Sequence, residues 1–525
     1  MVNTTTTQPD YLKQVLSARV YDVAIESPLQ LATKLSDGYA NQVYLKREDE
    51  QLIFSFKLRG AYNKLYHAKR ENPKLVHVVA ASAGNHAQGV ALAAQRLDLQ
   101  ATIVMPRTTP TIKVDAVRRL RGRVILEGDN YDQAAAFAKQ SAVELDALYI
   151  PPFDDPDIIA GQGTVGLELL KQLDDIDAVF VPVGGGGLLA GLCAVIKAIK
   201  PETKIIAVEP VDAACFAAAK AAGHRVVLDR VGQFADGVAV AEVGEYTFAI
   251  ANERTDDCVT VTTDEMCAAI KDIFDDTRTI VEPAGALSLA GLKKYVQQHR
   301  LQDQKLIAIV SGANSNFDRL RHVAERADIG QQRETLLSIT IPEKPGAFYQ
   351  LCCLIGRRNI TEFNYRFANT EQAQIFVGIE TQRDLTDTST GLTDRQALLK
   401  RFTESDYPVV DMSQNEMAKQ HVRFMVGGHS QRVEHEQLYR FSFPERPGAL
   451  MDFLRQIGQD FNISLFHYRN QGADYGRVLV GIQIPPNRTM DFTQRLDSLG
   501  YEWHCETSNP AYQLFLSPDP ATQTK

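Results

Sequence analysis

Four things are scarce in this 525-residue chain, and each scarcity excludes a class. Basic charge is in deficit: 56 Lys and Arg against 65 Asp and Glu leave a net charge of −9, which argues against nucleic acid or an anionic membrane as the main partner. Apolar runs are short, because glycine or charge interrupts them well before the ~18 residues a membrane span needs. Paired cysteines are missing. Cys193, Cys215, Cys258, Cys267, Cys352, Cys353 and Cys505 are odd in number and scattered, with no C-x-x-C, so neither a disulfide framework nor a zinc site is expected. The opening MVNTTTTQPDYL has no basic stretch followed by an apolar one, so no secretory signal is expected and the protein is expected to be cytoplasmic.

What is present is ordinary globular composition, 44% hydrophobic and 23% charged, over a length that suggests three or four units at roughly 150 residues each. From about 75 to 315, short β-branched runs alternate with helical stretches. LVHVVAA (75–81), ATIVMP (101–106), AVFVPV (178–183), KIIAVEP (204–210) and KLIAIVS (305–311) read as buried parallel strands, and segments such as YDQAAAFAKQSAVELDAL read as the covering helices. In α/β sheets of this kind ligands sit beyond the carboxyl ends of the strands. The residues that follow each run are therefore the ones to inspect.

AVFVPV is followed by GGGG (184–187) and an apolar helix, a strand–glycine–helix arrangement whose backbone N–H groups suit a phosphate. It is neither G-x-G-x-x-G nor a P-loop, and a ligand-free tight turn is the plain alternative. LVHVVAA runs into Ser82-Ala83-Gly84-Asn85-His86, a helix start with donors for a carboxylate, although His86 taken alone reads as a helix-face histidine. KLIAIVS ends at Ser311-Gly312-Ala313-Asn314, where the serine is either a cap or a partner for a ring nitrogen. Upstream, IFSFKLRGAYN (53–63) places Lys57 between Phe56 and Leu58. Such a lysine either snorkels to water or, held in an apolar setting, becomes an amine able to form a Schiff base. An amine, a phosphate cradle, an asparagine loop and a terminal serine on one scaffold suit a single ligand, the aromatic aldehyde phosphate pyridoxal phosphate (PLP).

After about residue 318 the texture changes. RLRHVAERADIGQQRE reads as a charged helical neck. TLLSITIPEKPGAFYQLCCLIGRRNITEFNYR (335–366) is then echoed by EQLYRFSFPERPGALMDFLRQIGQDFNISLFHYR (436–469), followed in each case by an alternating strand. Two copies about 100 residues apart indicate a duplicated α+β module rather than a solenoid.

SFKLRGA (55–61), SAGNHAQG (82–89), GQGT (161–164), GGGGL (184–188), DGVAV (236–240), EPAGA (282–286) and SGAN (311–314) resemble, in this order, the motifs of fold-type II PLP enzymes of the serine/threonine dehydratase group, over roughly residues 20–320. The C-terminal repeats resemble the paired ACT-like regulatory domains of the biosynthetic threonine dehydratases. The resemblance implies an α/β architecture: two open twisted sheets covered by helices in a catalytic domain (1–318, with a smaller subdomain around 50–155), a neck (319–334), and two α+β modules (335–430 and 431–525). It implies Lys57 as the Schiff-base lysine and Phe56 packing on the cofactor. Gly184, Gly185, Gly186, Gly187 and Leu188 would bind its phosphate, Asn85 its 3-hydroxyl and Ser311 its ring nitrogen. Ser82, Ala83, Gly84 and His86 would surround the substrate carboxylate, and Gly237 and Glu282 would lie near the ring. The implied reaction is conversion of L-threonine, or L-serine, to an oxo acid and ammonia. In the related serine racemases a serine stands where Ala83 stands here, so one-sided elimination rather than racemisation is expected. Glu209 matches a possible cation ligand, but VEPVDAACF lacks the downstream aspartate, and no metal is expected. The repeats imply inhibition by isoleucine, opposition by valine and a homotetramer; an oligomer interface alone is the competing reading. Cysteine synthase-like and threonine synthase-like enzymes share the scaffold but have different lysine contexts. A non-catalytic amino-acid sensor would have no need of an electrophile.

Overall fold

The computed structural model describes residues 10–317, 319–368, 370–382, 391–425, 427, 430, 433–444, 449–457, 460–469, 475–499 and 501–517. The chain divides into two compact units, Met1–Gly330 and Gln331–Lys525.

In the first unit the five runs read as strands form at His77–Ala81, Gln100–Met105, Ala178–Pro182, Lys204–Pro210 and Lys305–Val310. They fall in two sheets. One has four parallel strands ordered Arg123–Leu126, Gln100–Met105, His77–Ala81, Leu148–Tyr149. The other has six, ordered Leu29–Leu31, Gln42–Arg47, Lys305–Val310, Ala178–Pro182, Lys204–Pro210, Asp257–Val261, antiparallel only at the first pair. The central strands are apolar on both faces because helices cover both, which is why they read as continuous β-branched runs rather than alternating ones. Gln42–Arg47 is the exception. It lies beside Lys305–Val310 but carries the buried Lys46 and Arg47, so its composition hides its position.

Helices fill the expected gaps: Tyr131–Glu144 with its Asn130 cap, and Gly187–Ile199, buried over nearly its whole length. The stretch read as a neck contains the helix Arg319–Gly330, which packs on the helix Thr263–Thr277 through Arg326 Nη1 donating to Asp264 Oδ1 at 2.9 Å.

The second unit is one eight-stranded antiparallel sheet with helices packed on it. Each repeat is βαββαβ: Glu334–Pro342, Ala347–Ile355, Ile360–Arg366, Gln372–Glu380, Asp394–Glu404 and Val409–Asp411 in the first copy. In the second they are Glu436–Pro444, Ala449–Ile457, Asn462–Arg469, Tyr475–Gln483, Thr489–Leu499 and Glu502–Cys505. Strands Ile360–Arg366 and Asn462–Arg469 pair across the seam, so the strand order reads fourth-first-third-second in one module and its mirror in the other. The turn of the second copy, residues 445–448, lies outside the described residues.

Candidate active site

The helix Lys57–Glu71 begins where the chain is pinned to the end of strand Lys305–Val310. The Phe56 N–H donates to Ser311 O at 3.3 Å and the Ala313 N–H to Phe54 O at 2.9 Å, with a single bridge between Ser55 and Gly312. Phe54 holds φ = 55°, a left-handed conformation that costs a non-glycine residue of order 1–3 kcal/mol and is kept only where the surroundings enforce it. Phe56 packs with the core around Ile159 and Leu189, whereas Leu58 enters a different core with Ile53 and Ala61. The two neighbours therefore grip the backbone of Lys57 from two sides and leave its side chain to the cleft between them. Nζ donates to Gly237 O at 3.3 Å. Although Lys57 is only half-buried, the surrounding protein desolvates the amine and lowers its pKa, against the opposing charges of Glu282 and Asp236.

Next to Gly237, Val238 closes on the glycine run. A Cβ on Gly184 would lie 2.9 Å from the Val238 Cα, and one on Gly185 would lie 2.2–2.3 Å from three ring carbons of Phe153. Gly186 has φ = 92° and caps the helix Gly187–Ile199. The loop is held from behind: Gly185 O accepts from Thr247 Oγ1 at 2.7 Å and from the Gly244 N–H at 3.2 Å, and Cys215 Sγ donates to Gly184 O at 3.4 Å. Backbone carbonyls thus face the body of the protein, and Leu188 is buried in the first helical turn. The free N–H groups of that turn, with the positive end of the helix dipole, make an anion cradle.

The third element is the helix Asn85–Arg96, preceded by Ser82, whose Oγ accepts from the Gly84 N–H at 3.2 Å. Asn85 Oδ1 accepts from Asn314 Nδ2 at 2.7 Å, and Asn85 Nδ2 donates to Glu282 Oε1 at 2.6 Å, which fixes the amide orientation. Glu282 is buried; desolvation and the charge of Asp236 push its carboxyl up to about 7, against the Asn85 hydrogen bond. Ser311 Oγ donates to Ala284 O at 3.1 Å, two residues beyond Glu282. Gly237 lies between these groups, where a Cβ would come 2.9 Å from Ala284 Cβ and 3.4 Å from Glu282 Oε1. Lys57, Gly184, Asn85 and Ser311, distant in sequence, are thereby joined through one continuous set of contacts.

His86 differs from its neighbours. Its buried Nε2 donates to Ile150 O at 3.2 Å, and desolvation plus the nearby Lys57 charge bring its pKa down to about 4. The ring is neutral and its one N–H is committed to the protein, which leaves the backbone N–H as its donor for a ligand carboxylate. Ala83 is half-buried and has no proton to move. Glu209 is also committed: both carboxylate oxygens accept from the N–H groups of Phe216 and Ala217 at 2.8 Å, while burial raises it to about 7. Among the described residues, no group of three or more His, Cys, Asp or Glu is placed to hold a metal ion.

The donor set fits PLP: an amine biased towards its uncharged form, N–H groups where no Cβ intrudes, an oriented amide and a hydroxyl. One buried charged cluster went unread in the sequence. Arg59, Lys46, Glu48 and Glu168 form a fully buried ion network behind Lys57, and the available signal was a lone glutamate in the apolar helical run GTVGLELL.

Comparison with known proteins agrees with this geometry. Residues 20–312 match the family model of pyridoxal-phosphate dependent enzymes, and residues 325–422 and 427–516 each match the C-terminal regulatory domain of threonine dehydratase. A biosynthetic L-threonine dehydratase of Pasteurella multocida is 51% identical over 511 residues, covering 97% of this chain and 98% of that one. Its counterpart in Escherichia coli is 51% identical over 508 residues, 97% of each chain. Among solved structures, the processed form of threonine deaminase isoform 2 from Solanum lycopersicum superposes with a TM-score of 0.59 at 52% identity, covering 62% of this chain and 96% of that one. With the lysine cleft and the paired C-terminal modules, these similarities show that the chain belongs to the biosynthetic threonine dehydratases, PLP-dependent ammonia-lyases with a C-terminal regulatory region.

Proposed function

We propose that the chain converts L-threonine, and L-serine as a second substrate, to the oxo acid (2-oxobutanoate from threonine) and ammonia, as the first step of isoleucine biosynthesis in the cytoplasm. The observation that carries this reading is the desolvated Lys57 amine held at Gly237 O, with the glycine cradle and Ser311 reached through shared contacts. Bound PLP supplies an electron sink for the charge left at Cα. Lys57 would hold the cofactor, and its amine, when free, is the group that would take the Cα proton; its lowered pKa suits it to act as a base near neutral pH. Gly184, Gly185, Gly186, Gly187 and Leu188 would bind the phosphate through N–H groups, Phe56 would flank the cofactor, and Asn85 would meet its 3-hydroxyl. Ser311, a hydroxyl rather than a carboxylate, would leave the ring nitrogen uncharged and favour β-elimination. Ser82, Gly84 and the backbone of His86 bind the substrate carboxylate. Ala83 offers no acid on the opposite face, which keeps the proton traffic on the Lys57 side.

In the regulatory region isoleucine inhibits, valine opposes it, and the enzyme works as a homotetramer. Support comes from a cleft at the module seam, lined by Lys344, Gly346 and Phe348 of one module and Phe461, Asn462 and Ile482 of the other. Beside it, the Glu343 carboxylate accepts from Tyr365 OH at 2.5 Å and Asn462 Nδ2 at 3.0 Å. An apolar wall beside a carboxylate suits an aliphatic amino acid. The test is an oxo-acid assay on cofactor-loaded protein with L-threonine, with and without isoleucine. Absence of 2-oxobutanoate refutes the catalytic reading; turnover indifferent to isoleucine refutes the regulatory one.

A further inference from the structure

Two residues beyond Lys57, Arg59 is completely buried, and all five of its N–H groups are engaged. Nε and Nη2 grip Glu48 at 2.8 and 2.7 Å. Nη1 donates to Glu168 Oε1 at 2.6 Å and Thr164 Oγ1 at 3.1 Å, and Nη2 also reaches Glu168 Oε2 and Ile25 O, each at 3.1 Å. Lys46 Nζ neutralises the second acid, donating to Glu168 Oε2 at 2.6 Å and Ser27 O at 2.7 Å. Two cations meet two carboxylates, and burial, which would raise the pKa of Glu48, is outweighed by the Arg59 and Lys46 charges, so it is held below its usual range.

Such a cluster is a poor device for stability alone. Desolvating four charges costs as much as their pairing returns, and apolar residues of similar volume would do as well. What it does supply is direction. Side chains at i and i+2 of a helix point to opposite sides. Lys57 faces the cleft, and Arg59 leaves the same turn from the back and is fixed there to the turn Glu48–Glu50 and to the helix Pro156–Gln172. That helix approaches closely: a Cβ on Gly161 would lie 2.7 Å from the Gly60 Cα, and the Gly60 N–H donates to Gln162 Oε1 at 3.2 Å. The motif GQGT is the other half of this clamp, with Gly161 allowing contact, Gln162 holding the backbone and Thr164 holding the guanidinium.

We propose that Arg59 is a positioning residue for catalysis: its buried clamp to Glu48, Glu168 and Thr164 sets where the first turn of the Lys57 helix presents the amine. The inference rests on the reading that Lys57 is the reacting amine. Borohydride trapping with PLP, followed by peptide mapping, tests that reading separately. Label on another lysine overturns the reading itself, whatever Arg59 does.

The experiment compares PLP-loaded Arg59→Lys with Leu65→Ala, a cavity two turns along the same helix that leaves the clamp intact. For each, kcat and KM for L-threonine, the melting midpoint, and the pH titration of the visible band of lysine-bound cofactor are measured. A displaced amine predicts that Arg59→Lys lowers kcat about 10- to 100-fold, as an error of about 1 Å in a reacting group does, with KM changed less than about threefold and the pH midpoint moved. Leu65→Ala melts earlier but keeps kcat per folded molecule and its pH midpoint. Thr164→Val removes the hydroxyl's two hydrogen bonds, one from Arg59 Nη1 and one to Gly161 O, with almost no change of volume and no change of charge, and keeps the question answerable if Arg59→Lys does not fold. It shifts the same pH midpoint and lowers kcat several-fold. The proposal is overturned if the clamp variants lose activity only in step with their folded fraction, as Leu65→Ala does, or if the pH midpoint stays at the parent value.

Discussion

Adding one methyl group at Gly185 tests whether the glycine run is a ligand cradle or only a turn. The Cβ would sit 2.2 Å from the nearest Phe153 ring carbon, where ordinary contact begins at 3.4 Å, so something must yield by at least 1.2 Å. The ring or the loop must yield, and where the loop yields its N–H groups move with it. Overpacking of this kind costs about 1–3 kcal/mol. If the strain appears only when the loop adopts its cofactor-binding form, the PLP Kd rises about 5- to 150-fold, since each 1.4 kcal/mol is a factor of ten. Absorbance titration of cofactor-free Gly185→Ala with PLP measures it. Phe153→Ala opens the space, so the double variant recovers most of the lost affinity, a coupling that only neighbouring groups show. A single variant that binds PLP within twofold of the parent, or a double variant with no recovery, would falsify the cradle.

Two further outcomes follow from burial. Burial pushes the folded Glu282 carboxyl up to about 7 from its ordinary 4.5, so between those pH values the folded state holds a proton that the unfolded state has released. Its contribution to stability is complete below pH 4.5 and is lost as pH rises through 7, an order-of-magnitude change of about 3 kcal/mol. Glu209 titrates in the same window, so Glu282→Gln removes about half of the slope of melting temperature against pH in the cofactor-free protein. Unchanged slopes count against the assigned pKa. In the regulatory unit, Phe363 is fully buried, with Phe348 and Phe466 rings 5.6 and 5.0 Å away. Phe363→Ala lowers the stability of that unit by about 3–5 kcal/mol. Calorimetry should show its transition moving down while the cofactor absorbance holds; parallel loss of both would mean that the units do not unfold separately.

The central strands of the catalytic unit were legible because burial on both faces leaves an unbroken apolar run, the strongest signal a strand can give. Gln42–Arg47 was not, although it is not an edge strand, because it ends in two buried charges, Lys46 paired with the distant Glu168 and Arg47 paired with its neighbour Asp49. Lys46 meets Glu168 and Arg47 donates to Thr279 Oγ1, and no local pattern records either pairing. The site divides in the same way. Lys57, the glycine run, Asn85 and Ser311 follow strands or open helices and can be named from position alone. Arg59 and Gln162 act through tertiary contact, and the tie from Glu282 to Asn85 spans 197 residues. His86 shows the converse: its placement in a motif was legible, but the commitment of its ring to Ile150 was not.

In the regulatory unit the repeat announced a duplicated module, and the seam between the copies is what it could not announce. Both copies keep an acid at the start of their first strand, Glu334 and Glu436. Each receives a hydroxyl from the second strand, Thr361 and Ser464, and faces a glycine on the third, Gly378 and Gly481. A Cβ at those glycines would lie 3.0 and 2.8 Å from the respective carboxylate oxygens, which explains why Val-Gly-Ile recurs in both alternating strands. The cations diverge. Arg366 crosses the seam to bind Glu436 with both terminal nitrogens, at 2.5 and 3.2 Å. Glu334 has Arg423 at 3.6 Å, an arginine that follows the last strand of its own copy. The acid of the second module is therefore answered from the first. A change that moves the Tyr365–Arg366 strand end of the first module consequently reaches the buried charge of the second.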